Sequence, residues 1–554
     1  MDSPVLPLTA SALAIAAIVA YVRRRNTSIA PLPGPTQGHW LLGHQPTIQR
    51  SAAGEMDFDL KEKYGGAVKL DGAFGERLLW ICDPKAVQYV AQGGGYRFIR
   101  ASDRKEQSRL ILGASVLNAE GDTHRRMRRI MLPGFGTNES KTYVPSFARK
   151  AAKMGDKWVE SMHDKEGAIV NVPFWSGRAT LDALGESAFD YHFNALDDMS
   201  NELSKVFSNF FAKTRFMPSD WEIFSREAVA LLPVKLIQAW NEYVPDKKRA
   251  IMMGVRSVCE RTAHHLISEK SSALLSDKTG NDIMSLLVKA NASAGAKGQL
   301  NDEEMLGQLT TIILAGHETT ATTLAWALLE LARNPGAQKR LRDEIRTIRR
   351  ERDEPELSAE TFDAMPYLDA VVKARNFIAI DRSSLTEIQE TLRFHGVVPQ
   401  IAKESAVDDV VPFHTPVLGA NGELIHEVPV QKGQKILLSI AAYNRDKDTF
   451  GQDADKYNPD RWLEEGHITK QASVGVYANL FTFGGGHRAC LGWRFAVLEL
   501  SAFLFELVDR FEFDVDPNLK VYRAFSGVMQ PMLEGELKMG TQLPLRVRLA
   551  PVAE

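Results

Sequence analysis

Phe483-Gly484-Gly485-Gly486-His487-Arg488-Ala489-Cys490-Leu491-Gly492 is the stretch whose reading decides the fold. Three adjacent glycines let the backbone pass close to something flat or bulky, since no side chain stands in the way. Arg488 supplies a fixed positive charge that stabilises a thiolate or pairs with a carboxylate. Backbone N–H groups of such a loop can point at the Cys490 sulfur and tune its electron donation. A thiolate held this way suits the axial position of a haem iron. The apolar run behind it, Trp493 to Leu507, reads as a helix. The residues alone leave a second reading open: a buried cysteine after a flexible loop, because free cysteine is among the most buried residue types.

Ala315-Gly316-His317-Glu318-Thr319-Thr320 lies within the clearest long helix of the chain, Asn301 to Asn334. An N-cap candidate and an acidic first turn open that helix, and Asn334-Pro335-Gly336 stops it. Small residues at 315 and 316 let a flat cofactor approach the helix backbone. The Thr319 hydroxyl can bond the Ala315 carbonyl one turn back, bending the helix and opening a niche. Glu318 beside Thr319 provides an acid and an alcohol, suited to relaying protons. In isolation, a core helix whose polar residues face solvent explains the same string.

Together the two strings resemble the cytochrome P450 family. Phe483, Gly486, Arg488, Cys490 and Gly492 match its Phe-x-x-Gly-x-Arg-x-Cys-x-Gly signature, and residues 315–320 match its Ala/Gly-Gly-x-Asp/Glu-Thr-Thr/Ser pattern. The resemblance implies a mainly α fold with a small β portion, the haem-thiolate fold. It implies haem b (iron protoporphyrin IX), with Cys490 as proximal ligand and Phe483, Gly486, Arg488 and Gly492 around it. Thr319 and Glu318 then handle dioxygen activation and proton delivery.

Glu390-Thr391-Leu392-Arg393 resembles the family's Glu-x-x-Arg motif, whose spacing puts both charges on one helix face. Glu330 and Arg333 share that spacing, so the motif by itself is weak and a solvated helix pair is its ordinary reading. Phe394 to Pro399 follow directly, and Pro459-Asp460-Arg461-Trp462 lies further along. The resemblance therefore gives Glu390, Arg393 and Arg461 a structural role, as a buried network fixing the cysteine loop. In the basic run His124 to Arg129 the family has Trp-x-x-x-Arg, both residues meeting a haem propionate. His124 stands here in place of Trp, so Arg128 carries over better. Lys403 and Arg488 are further propionate candidates. The remaining arginines would form a cationic patch for an acidic electron donor, weakened by salt.

The 554 residues are 44% hydrophobic, ample for a large core. Length alone allows about three or four domains, but the motifs spread from about residue 120 to 492 and in the family build one haem pocket. A net charge of −3 gives no support for nucleic-acid binding. The cysteines Cys82, Cys259 and Cys490 form no disulfide framework and no zinc-like spacing, which fits a reducing compartment. Val5 to Val22 is uncharged and is followed by Arg23, Arg24 and Arg25. It is read as an uncleaved membrane anchor with its basic side cytosolic. A signal peptide would carry its positive charges ahead of the apolar run. Pro31-Leu32-Pro33-Gly34-Pro35 reads as a stiff connector. The expected division is an anchor at 1–25, a proline-rich hinge and linker at 26–48, and a catalytic domain at 49–554.

Short strands are expected around Gly66–Leu70, Leu78–Cys82, Val428–Val430 and Lys435–Ile440, a hairpin-type turn at Asn421-Gly422, and a surface loop over Lys289–Gly298. One departure from the family stands out. Met365 to Lys373 normally runs almost directly into the residues from Glu390, and here Ala374 to Gln389 intervenes. It is either a loop or a translated retained intron, and we prefer the second.

The whole resembles a microsomal-type, fungal-style haem-thiolate monooxygenase in the endoplasmic reticulum membrane. It would oxidise a lipophilic small molecule, a terpenoid or other secondary metabolite being the expectation. Its electrons would come from NADPH-cytochrome P450 reductase, with cytochrome b5 as a second donor. Ile312, Leu314 and Val528 are pocket-lining candidates that core packing explains equally well. The competing functions are a haem-thiolate peroxygenase or isomerase, and a non-catalytic haem-binding protein.

Overall fold

Apolar spacing of three and four makes most of this chain helical, and Asp302–Arg333 (α6 below) is the axis around which the rest is arranged. The computed structural model describes residues 28–162, 167–275, 280–295, 298–352, 356–362, 365, 386–463, 466–469 and 472–551. The expected anchor Val5–Val22 and residues 374–385 of the intervening stretch lie outside them. Among the described residues no helix is long and apolar enough to cross a membrane.

Eight helices and nine strands position the site. They are β1 (Ala67–Asp71), β2 (Arg77–Ile81), β3 (Phe98–Ile99), α1 (Ser102–Leu112), α2 (Gly121–Met131), α3 (Val172–Phe189), α4 (Phe210–Arg215), α5 (Asp220–Ala230), α6, α7 (Thr386–Phe394), β4 (Gln400–Ser405), β5 (Asp409–Leu418), β6 (Leu424–Val430), β7 (Lys435–Ser439), α8 (Trp493–Arg510), β8 (Val521–Phe525) and β9 (Met529–Leu533).

Asn301 caps α6 by accepting the Glu304 N–H at 2.9 Å, while Glu304 accepts the Asn301 N–H at 3.1 Å. Helix α3 lies along α6. The Thr180 hydroxyl donates to the His317 carbonyl and the Ser176 hydroxyl to the Ala321 carbonyl, each at 3.1 Å. A side chain at Gly316 would meet Leu184 of α3 at 2.8 Å. Gly316 therefore serves helix packing. Of the two small residues expected to admit a flat cofactor, Ala315 is exposed and Gly316 half-buried.

The main sheet runs β1-β2-β7-β4-β3. β1 and β2 pair antiparallel, β2 and β7 parallel with Trp80 opposite Leu437, and β7 and β4 antiparallel with Leu438 opposite Ile401. Separate hairpins join β5 to β6 and β8 to β9. Pro31 to Pro35 packs onto this sheet. The Lys69 N–H of β1 donates to the Pro33 carbonyl at 2.9 Å, and Ile29 and Leu32 are fully buried.

The four expected strands appear with shifted ends, and Asn421-Gly422 turns between β5 and β6 with Gly422 at φ 82°. The loop expected over Lys289–Gly298 is corrected by a helix at Ile283–Ser293. Asp282 caps that helix by accepting the Ser285 N–H, and buried Ile283, Met284 and Leu287 anchor it. Its alanines then extend the helix past Lys289.

Candidate active site

Cys490 is exposed although protein surrounds it, and its loop leads into α8, a helix packed on α6, so its sulfur fronts an internal void. On α6, Ala315 is exposed and Thr319, one turn on, is half-buried. The cysteine loop is held from several sides. The Cys490 N–H donates to the Phe483 carbonyl at 2.8 Å. Burial pushes the thiol up, while the Gly492 N–H and the Arg128 charge pull it down. Gly486 has φ 64°, and a side chain there would meet the Ala91 carbonyl at 2.6 Å, so glycine is required.

The cations do not all point where the family pattern suggests. Arg128 donates to the Ala489 carbonyl at 2.7 Å, bracing the loop. Arg488 pairs with Glu120 and donates to the Ala119 carbonyl at 2.7 Å. His124 is buried and shares a 2.6 Å hydrogen bond with the Tyr96 hydroxyl. Burial and repulsion from Arg488 and Arg128 push His124 down to about 3, so it stands neutral in the position where the family has Trp. Lys403 makes no ion pair among the described residues. Burial and repulsion from Arg488 and Arg100 bring it to about 8. The β3–β4 register pairs Ile99 with Glu404, so one step further brings Arg100 opposite Lys403. Arg100 escaped the sequence reading because only this strand pairing brings it to the site. The His487 ring packs tilted against Tyr96, centroids 4.2 Å apart, and its Nε2 is buried without a hydrogen-bond partner.

On the opposite wall, Glu318 accepts a hydrogen bond from Gln530 Nε2 at 2.8 Å. Burial lifts its carboxyl to about 7, with Gln530 pulling the other way. His317 donates from Nδ1 to the Ile313 carbonyl at 2.7 Å and packs on Phe207. Burial brings it to about 4, so it is neutral, its Nε2 3.7 Å from Glu318. The Thr319 hydroxyl donates to the Ala315 carbonyl at 3.0 Å, as its spacing predicts.

Below α8, Glu390, Arg393 and Arg461 come together with no exposure. Arg393 Nη2 lies 2.6 Å and Arg461 Nε 3.1 Å from Glu390. Trp462 Nε1 donates to Glu390 at 3.0 Å, and the Asn458 N–H at 2.7 Å. Arg393 also donates to the Asn444 carbonyl at 3.0 Å. The Asn444 side chain bonds Thr482 at 2.7 Å and the Phe481 N–H at 3.0 Å, at the threshold of the cysteine loop. Asn444 is the link that the sequence did not reveal.

Cys490 faces the void, Lys403 and Arg100 make no ion pair among the described residues, and His487 leaves a polar atom unused. A flat dianionic ring with an iron to ligate fits that set of donors. The fold and site define a haem-thiolate protein. The profile described as Cytochrome P450 matches residues 32–375 and 385–539. The chain is 30% identical to cytochrome P450 monooxygenase 205 of Postia placenta, over 98% of this chain and 97% of that protein. It is 31% identical to cytochrome P450 monooxygenase 128 of the same fungus, over 93% and 92% of the two chains. It is 29% identical to cytochrome P450 monooxygenase claW of Ampulloclitocybe clavipes, over 95% and 94%. The chain belongs to the cytochrome P450 family and is a monooxygenase.

Proposed function

We propose that this chain inserts one atom of dioxygen into a lipophilic small molecule, with Cys490 ligating haem b and electrons passing from NADPH through cytochrome P450 reductase, cytochrome b5 serving as a second donor. What supports this reading is the exposed Cys490 on a braced loop, together with the raised Glu318 carboxyl beside the Thr319 hydroxyl on α6. The haem, when bound, supplies oxygen activation and the oxidising equivalent. The chain's residues do the rest. Lys403, Arg100 and His487 hold the propionates. Gln530 fixes the Glu318 carboxyl, which exchanges a proton near neutrality. The Thr319 hydroxyl, donating to Ala315, keeps its lone pairs free to take a proton from Glu318 and pass it on. Glu390, Arg393 and Arg461 hold the cysteine loop and touch no reactant.

The same proposal covers location and pathway. The apolar run Val5–Val22 with Arg23 to Arg25 supports a single-pass anchor in the endoplasmic reticulum, with residues 26–48 leading to a cytosolic catalytic domain at 49–554. The relatives are fungal monooxygenases, and the proposal extends from there to a place in secondary metabolism, terpenoids included.

The test is the carbon-monoxide difference spectrum of the reduced full chain, followed by NADPH consumption with a reductase. A Soret band at the thiolate position, lost in Cys490→Ala, is expected. No such band overturns the haem-thiolate assignment of Cys490. A band without NADPH-driven product overturns the monooxygenase cycle in favour of peroxide use, isomerisation or simple haem binding.

A further inference from the structure

Arg215 closes the C-terminal end of α4, and its guanidinium lies against the turn between β8 and β9. A side chain at Gly527 would stand 3.0 Å from its Nη1. Among the described residues Arg215 makes no hydrogen bond or ion pair through its side chain, and it is only part-exposed. The charged groups that act on it are all cations: Arg104, Arg226 and Arg100. Burial, with that repulsion, pushes the guanidinium down to about 10. A part-exposed guanidinium among other cations and without a counter-ion gains when an anion pairs with it.

Each neighbouring cation already has a counter-charge. Arg104 lies 3.6 Å from Asp103. Arg226 lies 3.7 Å from Glu227 and donates to Gln49 at 2.5 Å. Around the cysteine loop Arg488 pairs with Glu120 and Arg128 donates to the Ala489 carbonyl, while Arg100 and Lys403 are the cations assigned above to the propionates. Arg215 is the cation with no such assignment.

Its position gives that surplus a use. Gly527 is three residues from Gln530, which holds Glu318. Fully extended, three residues span about 10 Å, and here the chain turns through Gly527 at φ 98°, so the separation is shorter than that. Val528 and Leu314 provide apolar surface on the two elements that flank the gap. The geometry points to a lipophilic carboxylic acid as the substrate, its carboxylate held by Arg215 and its hydrocarbon body running along the β8–β9 turn towards Thr319. Arginine suits the task because its planar fork meets a carboxylate through two parallel hydrogen bonds. This inference rests on the monooxygenase reading.

The test uses the full-length, haem-loaded protein and a panel of carboxylic acids paired with their methyl esters, on straight-chain, terpenoid and aromatic skeletons. Each pair is titrated, and the low-to-high-spin shift of the Soret band gives the Kd. At least one acid should outbind its ester roughly tenfold, the scale of a charge-assisted hydrogen bond. Arg215→Gln should erase that preference while leaving the ester's Kd unchanged, and Arg215→Lys should keep part of it. The carbon-monoxide band of each variant reports that the fold and the thiolate ligand are intact. A wild-type protein with that band in which no acid outbinds its ester overturns the inference. So does an Arg215→Gln protein that keeps the preference. A missing thiolate band in the wild-type chain overturns the underlying reading instead.

Discussion

Glu318 is a carboxylate that the fold refuses to leave fully ionised. Its desolvation outweighs the single hydrogen bond from Gln530, so the carboxyl titrates at about 7. As a proton donor it is loaded below that value and empty above it. Product formed per NADPH should therefore fall as the pH climbs through about 7. In Glu318→Gln this pH limb should vanish and product formation should drop roughly a hundredfold, the scale of general-acid catalysis. Coupling measured between about pH 6 and 8 checks both outcomes. Glu318 and Thr319 were legible because adjacent residues carry the whole chemical idea. Gln530 was not, because only the packing of the β8–β9 hairpin on α6 brings it within 2.8 Å. Arg100 was hidden for the same reason, its neighbour Lys403 being set by strand register.

Helix α7 and the segment around Arg461 show how far spacing alone can mislead. Glu390–Arg393 and Glu330–Arg333 have one spacing, and a solvated helix pair was the ordinary reading of that spacing taken alone. Glu330 is buried as well, bonded to His395 Nε2 at 2.8 Å, and His395 stacks on Trp326. Only Glu390, however, gathers two arginines at zero exposure. Removing it leaves two buried guanidiniums without their carboxylate, a loss of about 3–5 kcal/mol. Glu390→Ala should therefore lower the denaturation midpoint and abolish the thiolate carbon-monoxide band. The band goes because Arg393, Asn444 and Thr482 form a chain of hydrogen bonds from this clamp to the threshold of the cysteine loop. The long helices were legible from their caps and apolar spacing. The strands of the β5–β6 and β8–β9 hairpins were blurred, because short strands are defined by partners far away in sequence.

At the scale of the whole molecule, the stretch Ala374–Gln389 divides into two parts. The family match breaks between residues 375 and 385, yet Thr386 to Gln389 form the first turn of α7. Glu387 and Ile388 are buried there. Burial lifts the Glu387 carboxyl to about 8 from 4.5, with the Tyr457 hydroxyl donating to it. The folded state then binds more protons than the unfolded one across that window, so stability falls as pH rises through it. Joining Lys373 directly to Glu390 would put Val371 and Val372 in the register of Glu387 and Ile388. The shortened chain should gain about 2 kcal/mol at neutral pH by sparing a buried carboxyl. Its loss of stability between about pH 4.5 and 8 should shrink. Thermal denaturation of both chains over that range decides the matter, and sequencing the transcript shows which chain is made. The proline segment carries a last consequence. β1 is the outermost strand of the five-stranded sheet, and such a border invites a foreign strand to dock and seed aggregates. Pro31 to Pro35 lies along that border, and prolines have no N–H to offer an incoming chain. The same few residues that steer the polypeptide into the sheet also insulate it from its own kind in a crowded cell.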